Sequence, residues 1–167
     1  MASPKKTLVR IVMGSKSDWD TMSRAHGVLK EFGVQHECRV LSAHRTPEEL
    51  AVWVRAAEAE GTEVFIAGAG GAAALPGAVA ALTTVPVLGV PVLGWALNGE
   101  DALYAMAQMP PGVPVGTLAI GKPGATNAAL LAVAILANKY PEYREQLQAY
   151  RRERAKQVLE ERLPVEE

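Results

Sequence analysis

Val34-Gln-His-Glu-Cys-Arg-Val-Leu41 runs directly into Ser42-Ala43-His44-Arg45-Thr46-Pro47. The first eight residues mix β-branched and apolar positions and predict a strand. A helix is then announced by Thr46 as N-cap, Pro47 in the first turn and Glu49 three residues after the cap, the pattern of a capping box. The junction therefore falls at the carboxyl end of a strand, where open α/β sheets hold their ligands. An imidazole and a guanidinium placed together there fit an enzyme acting on a phosphorylated metabolite.

The same alternation extends in both directions. Upstream, Leu8 to Met13 predicts a strand, and a helix follows from about Trp19 to Phe32, capped by Ser17 or Asp18 and stopped by Gly33. Downstream, the helix from Pro47 to Glu60 stops at Gly61, and Glu63 to Ala67 is the third strand. A small-residue helix is expected between Leu75 and Leu82, then a strand over Pro86 to Val90 and a helix near Asn98 to Met109. Val115 to Ile120 is the fifth strand, Asn127 to Asn138 a helix, and Pro141 to about Arg162 a charged final helix with a frayed tail beyond it. Strands separated by helices imply right-handed crossovers and a parallel sheet between two helical layers. The expectation is a three-layer α/β/α sandwich with a five-stranded parallel sheet in the flavodoxin-like order 2-1-3-4-5. One catalytic domain is expected over residues 1–167, its core spanning about 8–138.

Composition narrows the function. The chain has 167 residues and a formal net charge of −1, without the basic excess that favours nucleic acid or anionic membranes. Cys38 is the only cysteine, so no internal disulfide forms, and a buried structural thiol is favoured over a reactive one. The start of the chain carries no apolar signal segment, which fits a cytoplasmic location. Residues 64–99 carry no charge, but Pro76, Pro86, Pro91 and several glycines break them into strand, loop and helix pieces, against a membrane span. The segment from Ala128 to Ala137 lacks a polar face. It reads as a core helix or, as favoured here, a helix buried against another subunit. The final helix reads as a solvated face or an arm onto a neighbour.

Three unusual loops fall on one sheet edge: Gly14-Ser15-Lys16-Ser17-Asp18, Ser42 to Thr46, and Gly68-Ala69-Gly70-Gly71-Ala72-Ala73. The first opens a helix, whose unpaired N–H groups and dipole favour an anion. Ser15 and Ser17 add hydroxyls; the competing reading is plain helix capping by Ser17 and Asp18. Asp18 would repel a phosphate and suits sugar hydroxyls, while Lys16 points either way. Arg45 can grip phosphate bidentately or form a surface ion pair with Glu48 or Glu49. His44 is the best acid–base candidate, since an imidazole transfers protons both ways near neutrality. His26, within a helix, and His36, within a strand, are less promising. The third loop offers backbone and empty space for a flat ring. It matches a dinucleotide fingerprint poorly, because the acidic residue expected about 20 positions on is missing. The histidines read as dispersed, with no metal-ligand spacing, no P-loop lysine and no nucleophile elbow.

The loops do not stand alone. Leu75-Pro-Gly77, Pro86-Val-Leu-Gly-Val-Pro91, Pro114-Val-Gly-Thr-Leu-Ala-Ile-Gly121 and Asn127-Ala-Ala-Leu-Leu-Ala132 follow them in order. As a set, over roughly residues 8–138, these motifs closely resemble the class I N5-carboxyaminoimidazole ribonucleotide mutases of purine biosynthesis, the PurE family. The His-Arg-Thr-Pro sequence and the Gly-Gly-Ala-Ala loop resemble class I rather than the class II enzymes that carboxylate aminoimidazole ribonucleotide with free CO2. One departure matters: the family usually has His before Leu-Pro-Gly, and this chain has Ala74.

The resemblance implies a carboxyl shift from the exocyclic nitrogen to ring carbon C4, without metal, biotin, ATP or other cofactor. It implies His44 as catalytic residue, Ser15, Ser17 and Arg45 at the phosphate, Asp18 at the ribose, and Ser42, Ala69, Gly70 and Leu75 around the base and carboxylate. It also implies a homo-octamer; composition speaks against a nucleic-acid or membrane partner, and whether an ATP-dependent carboxyaminoimidazole ribonucleotide synthase hands over the unstable substrate is left open by the sequence. His44 is expected to face a sealed pocket that retains CO2. The alternatives are a carboxylase using free CO2 and a flavodoxin-like module that binds a mononucleotide without turnover.

Overall fold

The structure, a computed structural model, describes residues 6–94 and 96–164. Its five strands are β1 (Val9–Met13), β2 (His36–Val40), β3 (Val64–Ala69), β4 (Val87–Pro91) and β5 (Gly116–Thr117). They pair in the order β2-β1-β3-β4-β5, and every pairing is parallel. Helices separate the strands: α1 (Trp19–Glu31), α2 (Pro47–Ala59), α3 (Ala74–Ala80), α4 (Glu100–Ala107) and α5 (Lys122–Leu136), with α6 (Pro141–Glu160) last. The three-layer sandwich with the order 2-1-3-4-5 is thus the observed architecture.

The period of two along each strand divides the core. Val9, Ile11 and Met13 of β1, with Val64 and Ile66 of β3, pack beneath α1 and α5. Val12 of β1, with Phe65, Ala67 and Ala69 of β3, packs beneath α2, α3 and α4. Both faces are covered, so β1, β3 and β4 are fully buried and, apart from Arg10 of β1, which pairs with Glu37 and Glu60, apolar. Each large apolar side chain buried this way contributes about 1.5–3 kcal/mol. β2 lies at the edge, and its exposure rises from half-buried at His36 to open at Val40.

The elements differ from the sequence expectation mainly at their ends. The second strand starts at His36 rather than Val34 and ends at Val40 rather than Leu41. The third runs two residues further than expected, taking Gly68 and Ala69 out of the loop and into the sheet. The fifth shrinks to Gly116–Thr117, since only these residues pair regularly with Leu88 and Gly89 of β4. The helix after β5 begins at Lys122, five positions before Asn127. Lys122-Pro-Gly-Ala reads as a loop because proline and glycine break helices in mid-course. Here Pro123 sits in the first turn, where its missing N–H costs nothing. Gly124 is demanded by space: a β-carbon there would overlap the Ala119 carbonyl oxygen.

The apolar helix α5 proves to be largely a core helix. Ala125, Ala128, Ala129, Ala132, Val133 and Leu136 are buried against α1 and the sheet. Leu131 is exposed, and with Leu130, Ala134, Leu118 and Leu147 it lines a groove between α5 and α6. Among the residues of α6 only Tyr143 is buried, and the helix is exposed throughout from Arg151 onward. The expected frayed tail lies partly outside the described residues, which end at Pro164. No described helix is long and apolar enough to cross a membrane.

Candidate active site

The carboxyl ends of β1, β2, β3 and β4 converge on one cleft of about 460 Å³. Its lining includes Gly14, Ser15, Ser17, Asp18, Ser42, His44, Arg45, Ala69, Gly70 and Leu75. Every site residue expected from the sequence is brought to this cleft.

The β1 loop is a single 3-10 turn, Lys16–Asp18, feeding α1. Asp18, one of the two expected caps, stands at the N-cap of α1 without a side-chain capping bond, and the turn before it is capped by Ser15. The Ser15 hydroxyl accepts from the Ser17 N–H at 3.3 Å, and the Asp18 carboxylate accepts from the Ser15 N–H at 2.9 Å, a reciprocal capping box. The cap lies early because the tight turn's unpaired N–H groups begin there. Ser17 Oγ donates to Ser15 Oγ at 2.9 Å, which leaves the Ser15 hydroxyl proton for a ligand. Burial pushes the Asp18 carboxyl above its ordinary range, opposed by the backbone N–H groups of Ser15 and Gly14 and by the charge of Arg45.

The β2 loop is organised by Ser42 and Thr46. Thr46 stands at the N-cap of α2 with Pro47 in the first turn, as the sequence predicts, but its side chain makes no capping bond, so the predicted capping box does not form. The Thr46 hydroxyl turns back instead, accepting from the Ser42 N–H at 2.9 Å and donating to the Ser42 carbonyl at 3.1 Å. The Ser42 hydroxyl in turn accepts from the Arg45 backbone N–H at 3.2 Å. A five-residue loop closed on itself in this way satisfies its own backbone and projects His44 and Arg45 outward.

Arg45 forms no ion pair with Glu48 or Glu49 among the described residues. Its Nη2 donates to the Gly14 carbonyl at 2.7 Å and its Nε to Ser42 Oγ at 3.3 Å. It thereby stitches the β1 loop to the β2 loop and faces the cleft. A guanidinium carries five N–H donors; two are used by these bonds, so three remain for an anion.

The facing wall comes from β3 and α3. Between them Gly71 and Ala73 take left-handed backbone conformations, with φ of 59° and 48°. Gly71 does so without cost, whereas Ala73 stores about 1 kcal/mol or more. The turn lines the cleft with Gly70, Gly71, Ala73 and Ala74, none of which carries a long side chain. Ala74 lines the cleft where the resembled family carries an imidazole, so no second histidine faces His44.

Sequence reasoning missed a fourth loop. Leu93 and Gly94, after β4, also line the cleft, and a β-carbon on Gly94 would lie 3.7 Å from the Gly71 nitrogen. The signal was available: β4 ends at the same sheet edge, so the residues after Pro91 had to meet the other loops.

Two expectations need correction. The pocket is not sealed: in the single chain the cleft is open, and His44 and Arg45 are both exposed on its rim. Nor are the histidines dispersed. His26, His36 and Cys38 gather on the α1 side of β2, away from the cleft. Cys38 is half-buried, and burial pushes its thiol up to about 11, in keeping with an unreactive group.

Comparison with known proteins fits this geometry. The family model described as AIR carboxylase matches residues 8–157. The N5-carboxyaminoimidazole ribonucleotide mutase of Vibrio cholerae is 53% identical over 159 residues, covering 95% of this chain and 99% of that protein. The mutase of the same name from Escherichia coli K12 is 56% identical over 152 residues, covering 91% of this chain and 90% of that protein. Among solved structures, Treponema denticola PurE superposes with a TM-score of 0.83 at 29% identity, covering 91% of this chain and 94% of that one. Sheet order, cleft and full-length similarity agree: the chain belongs to the AIR carboxylase family.

Proposed function

We propose that this chain is an N5-carboxyaminoimidazole ribonucleotide mutase of purine biosynthesis, an isomerase that moves a carboxyl group from the exocyclic nitrogen to C4. The observation that carries it is the pairing of His44 and Arg45 on one self-closed loop, opposite a wall almost free of functional side chains.

The reaction can be written with these residues. Protonated His44 gives its proton to the departing nitrogen as the N–C bond of the carbamate breaks. This releases CO2 and leaves aminoimidazole ribonucleotide in place. The enamine-like C4 then attacks the CO2 carbon. Neutral His44 removes the C4 proton, which restores the aromatic ring and returns the imidazole to its starting state. No proton, carbon or electron is gained or lost overall. One general acid–base group supplies about 10²–10⁴-fold. Holding CO2 beside C4 supplies much of the rest, because recapture becomes an intramolecular step.

Arg45 and the Ser15 and Ser17 hydroxyls hold the phosphate, and Asp18 the ribose. Ser42, Ala69, Gly70 and Leu75 border the ring and its carboxylate. Because the single chain leaves the cleft open, retention of CO2 requires further cover from bound substrate and neighbouring subunits. A homo-octamer provides the latter, and the exposed Leu131 groove and the protruding α6 are surfaces available for its contacts. The cytoplasm is the proposed location, with an ATP-dependent synthase supplying the substrate.

Substrate choice tests the proposal. At low bicarbonate, the N5-carboxylated substrate should turn over fast, and aminoimidazole ribonucleotide with bicarbonate slowly. Equal turnover of both would make the chain a carboxylase using free CO2; binding without turnover would make it a passive nucleotide module.

A further inference from the structure

We propose that His26, His36 and Cys38 form a zinc site, separate from the cleft, with water as the fourth ligand. Their donor atoms all lie within 4.8 Å of one another. His26 Nδ1 is 2.8 Å from His36 Nε2 and 4.0 Å from Cys38 Sγ. Zinc holds nitrogen at about 2.0–2.1 Å and sulfur at about 2.3 Å, so ligands on a tetrahedron stand roughly 3.3–3.7 Å apart. The observed separations bracket that range, and small rotations of the three side chains reach it.

Topology explains how residues distant in sequence meet. His36 and Cys38 are two apart on β2 and point to the same face, toward α1. His26 comes from α1, packed on that face, and its ring stands 4.9 Å from that of His36. All three are half-buried, so an ion can enter and water can complete the shell.

A second contact favours a ligand role over a plain histidine pair. His36 Nδ1 lies 2.7 Å from the Val34 carbonyl oxygen, to which it must donate. That bond fixes the proton on Nδ1 and aims the Nε2 lone pair at the cluster, the arrangement by which metal-binding histidines are oriented. The donor set of two imidazoles and one thiol suits a borderline-soft ion such as Zn²⁺ rather than Mg²⁺ or Ca²⁺, which take oxygen.

Binding balances simply. The His26 proton moves from Nδ1 to Nε2, Cys38 gives its thiol proton to solvent, and Nδ1, Nε2 and the thiolate each donate one pair. None of the three residues lines the catalytic cleft. The ion would pin the edge strand to α1 and take no part in turnover.

The test uses untagged, metal-stripped protein and Co²⁺ as a spectroscopic substitute for zinc. One equivalent should give intense tetrahedral ligand-field bands and a near-ultraviolet thiolate-to-cobalt band, both displaced by Zn²⁺. Cys38→Ser should abolish the thiolate band, and His36→Gln should weaken cobalt binding more than about tenfold. His44→Asn should leave the spectrum unchanged, separating this site from the cleft histidine. Carboxyl transfer by Cys38→Ser and His36→Gln should match wild type, which also reports their folding. Cobalt bands unaffected by His36→Gln would overturn the site. If a variant fails to fold, wild type decides alone: Cys38 is the sole cysteine, so absence of the thiolate band overturns the proposal.

Discussion

Replacing Arg45 separates binding from chemistry. In Arg45→Ala two internal bonds vanish, to the Gly14 carbonyl at 2.7 Å and to Ser42 Oγ at 3.3 Å, together with the donors directed at phosphate. A hydrogen bond to a charged group is worth about 1.5–3 kcal/mol, and two to one phosphate are not additive in an open cleft. A net loss of about 2–3 kcal/mol is therefore reasonable, which corresponds to roughly a 30- to 150-fold rise in KM. The turnover number should change far less, because the proposed mechanism assigns Arg45 to the phosphate and not to the reacting atoms. Arg45→Lys should fall between, since an ammonium keeps the charge and loses the fork that spans both loops. The assay is steady-state carboxyl transfer, paired with calorimetric binding of aminoimidazole ribonucleotide and of its dephosphorylated nucleoside. The nucleoside should bind both proteins alike. An equal loss of nucleoside affinity in Arg45→Ala, or a fall in kcat at unchanged KM, would show that Arg45 does not hold phosphate.

Three further outcomes are expected. Thr46→Val removes both bonds to Ser42 and should lower stability by about 1–2 kcal/mol and reduce transfer, with Thr46→Ser restoring both; full activity in Thr46→Val would deny the loop its dependence on that hydroxyl. Gly124→Ala gains helix propensity but drives a β-carbon into the Ala119 carbonyl oxygen, so denaturant unfolding should show a loss of about 1–3 kcal/mol, and any stabilisation would contradict the packing. Burial raises the Glu63 carboxyl, but hydrogen bonds from Lys139 and Tyr140 and the charges of Lys139 and Lys6 outweigh it, and the net shift is downward. The depressed folded-state value contributes stability that is fully present above the unfolded carboxylate value of about 4.3 and is lost as pH falls below it and through the folded value. The melting-temperature advantage of wild type over Glu63→Gln should therefore shrink on acidification, and a constant gap from neutral to acid pH would contradict it.

The sheet was legible in the sequence because covered parallel strands must be apolar on both faces and the helices between them carry clear stops such as Gly33 and Gly61. The site was legible because parallel strands put all their carboxyl ends on one edge, whatever the loops contain. What stayed hidden depends on space rather than pattern. The roles of Ser15 and Thr46 turn on which backbone group lies within reach of a hydroxyl. The early start of α5 turns on Gly124 meeting Ala119. The gathering of His26, His36 and Cys38 depends on how α1 seats on β2, which no spacing along one element reveals. The exposure of His44 likewise depends on how far the loops reach over the cleft, which the sequence does not reveal.

Carboxyl transfer by His44→Asn, measured in single turnover on protein whose ligand affinity is measured in parallel, is the sharpest test. Asparagine retains polarity but cannot carry a proton between nitrogen and C4. Binding of aminoimidazole ribonucleotide should stay within a few-fold of wild type, while transfer should fall by about 10²–10⁴-fold. Near-normal transfer in that variant would remove His44 from the chemistry and, with Ala74 facing it, leave the cleft without an imidazole to move the proton.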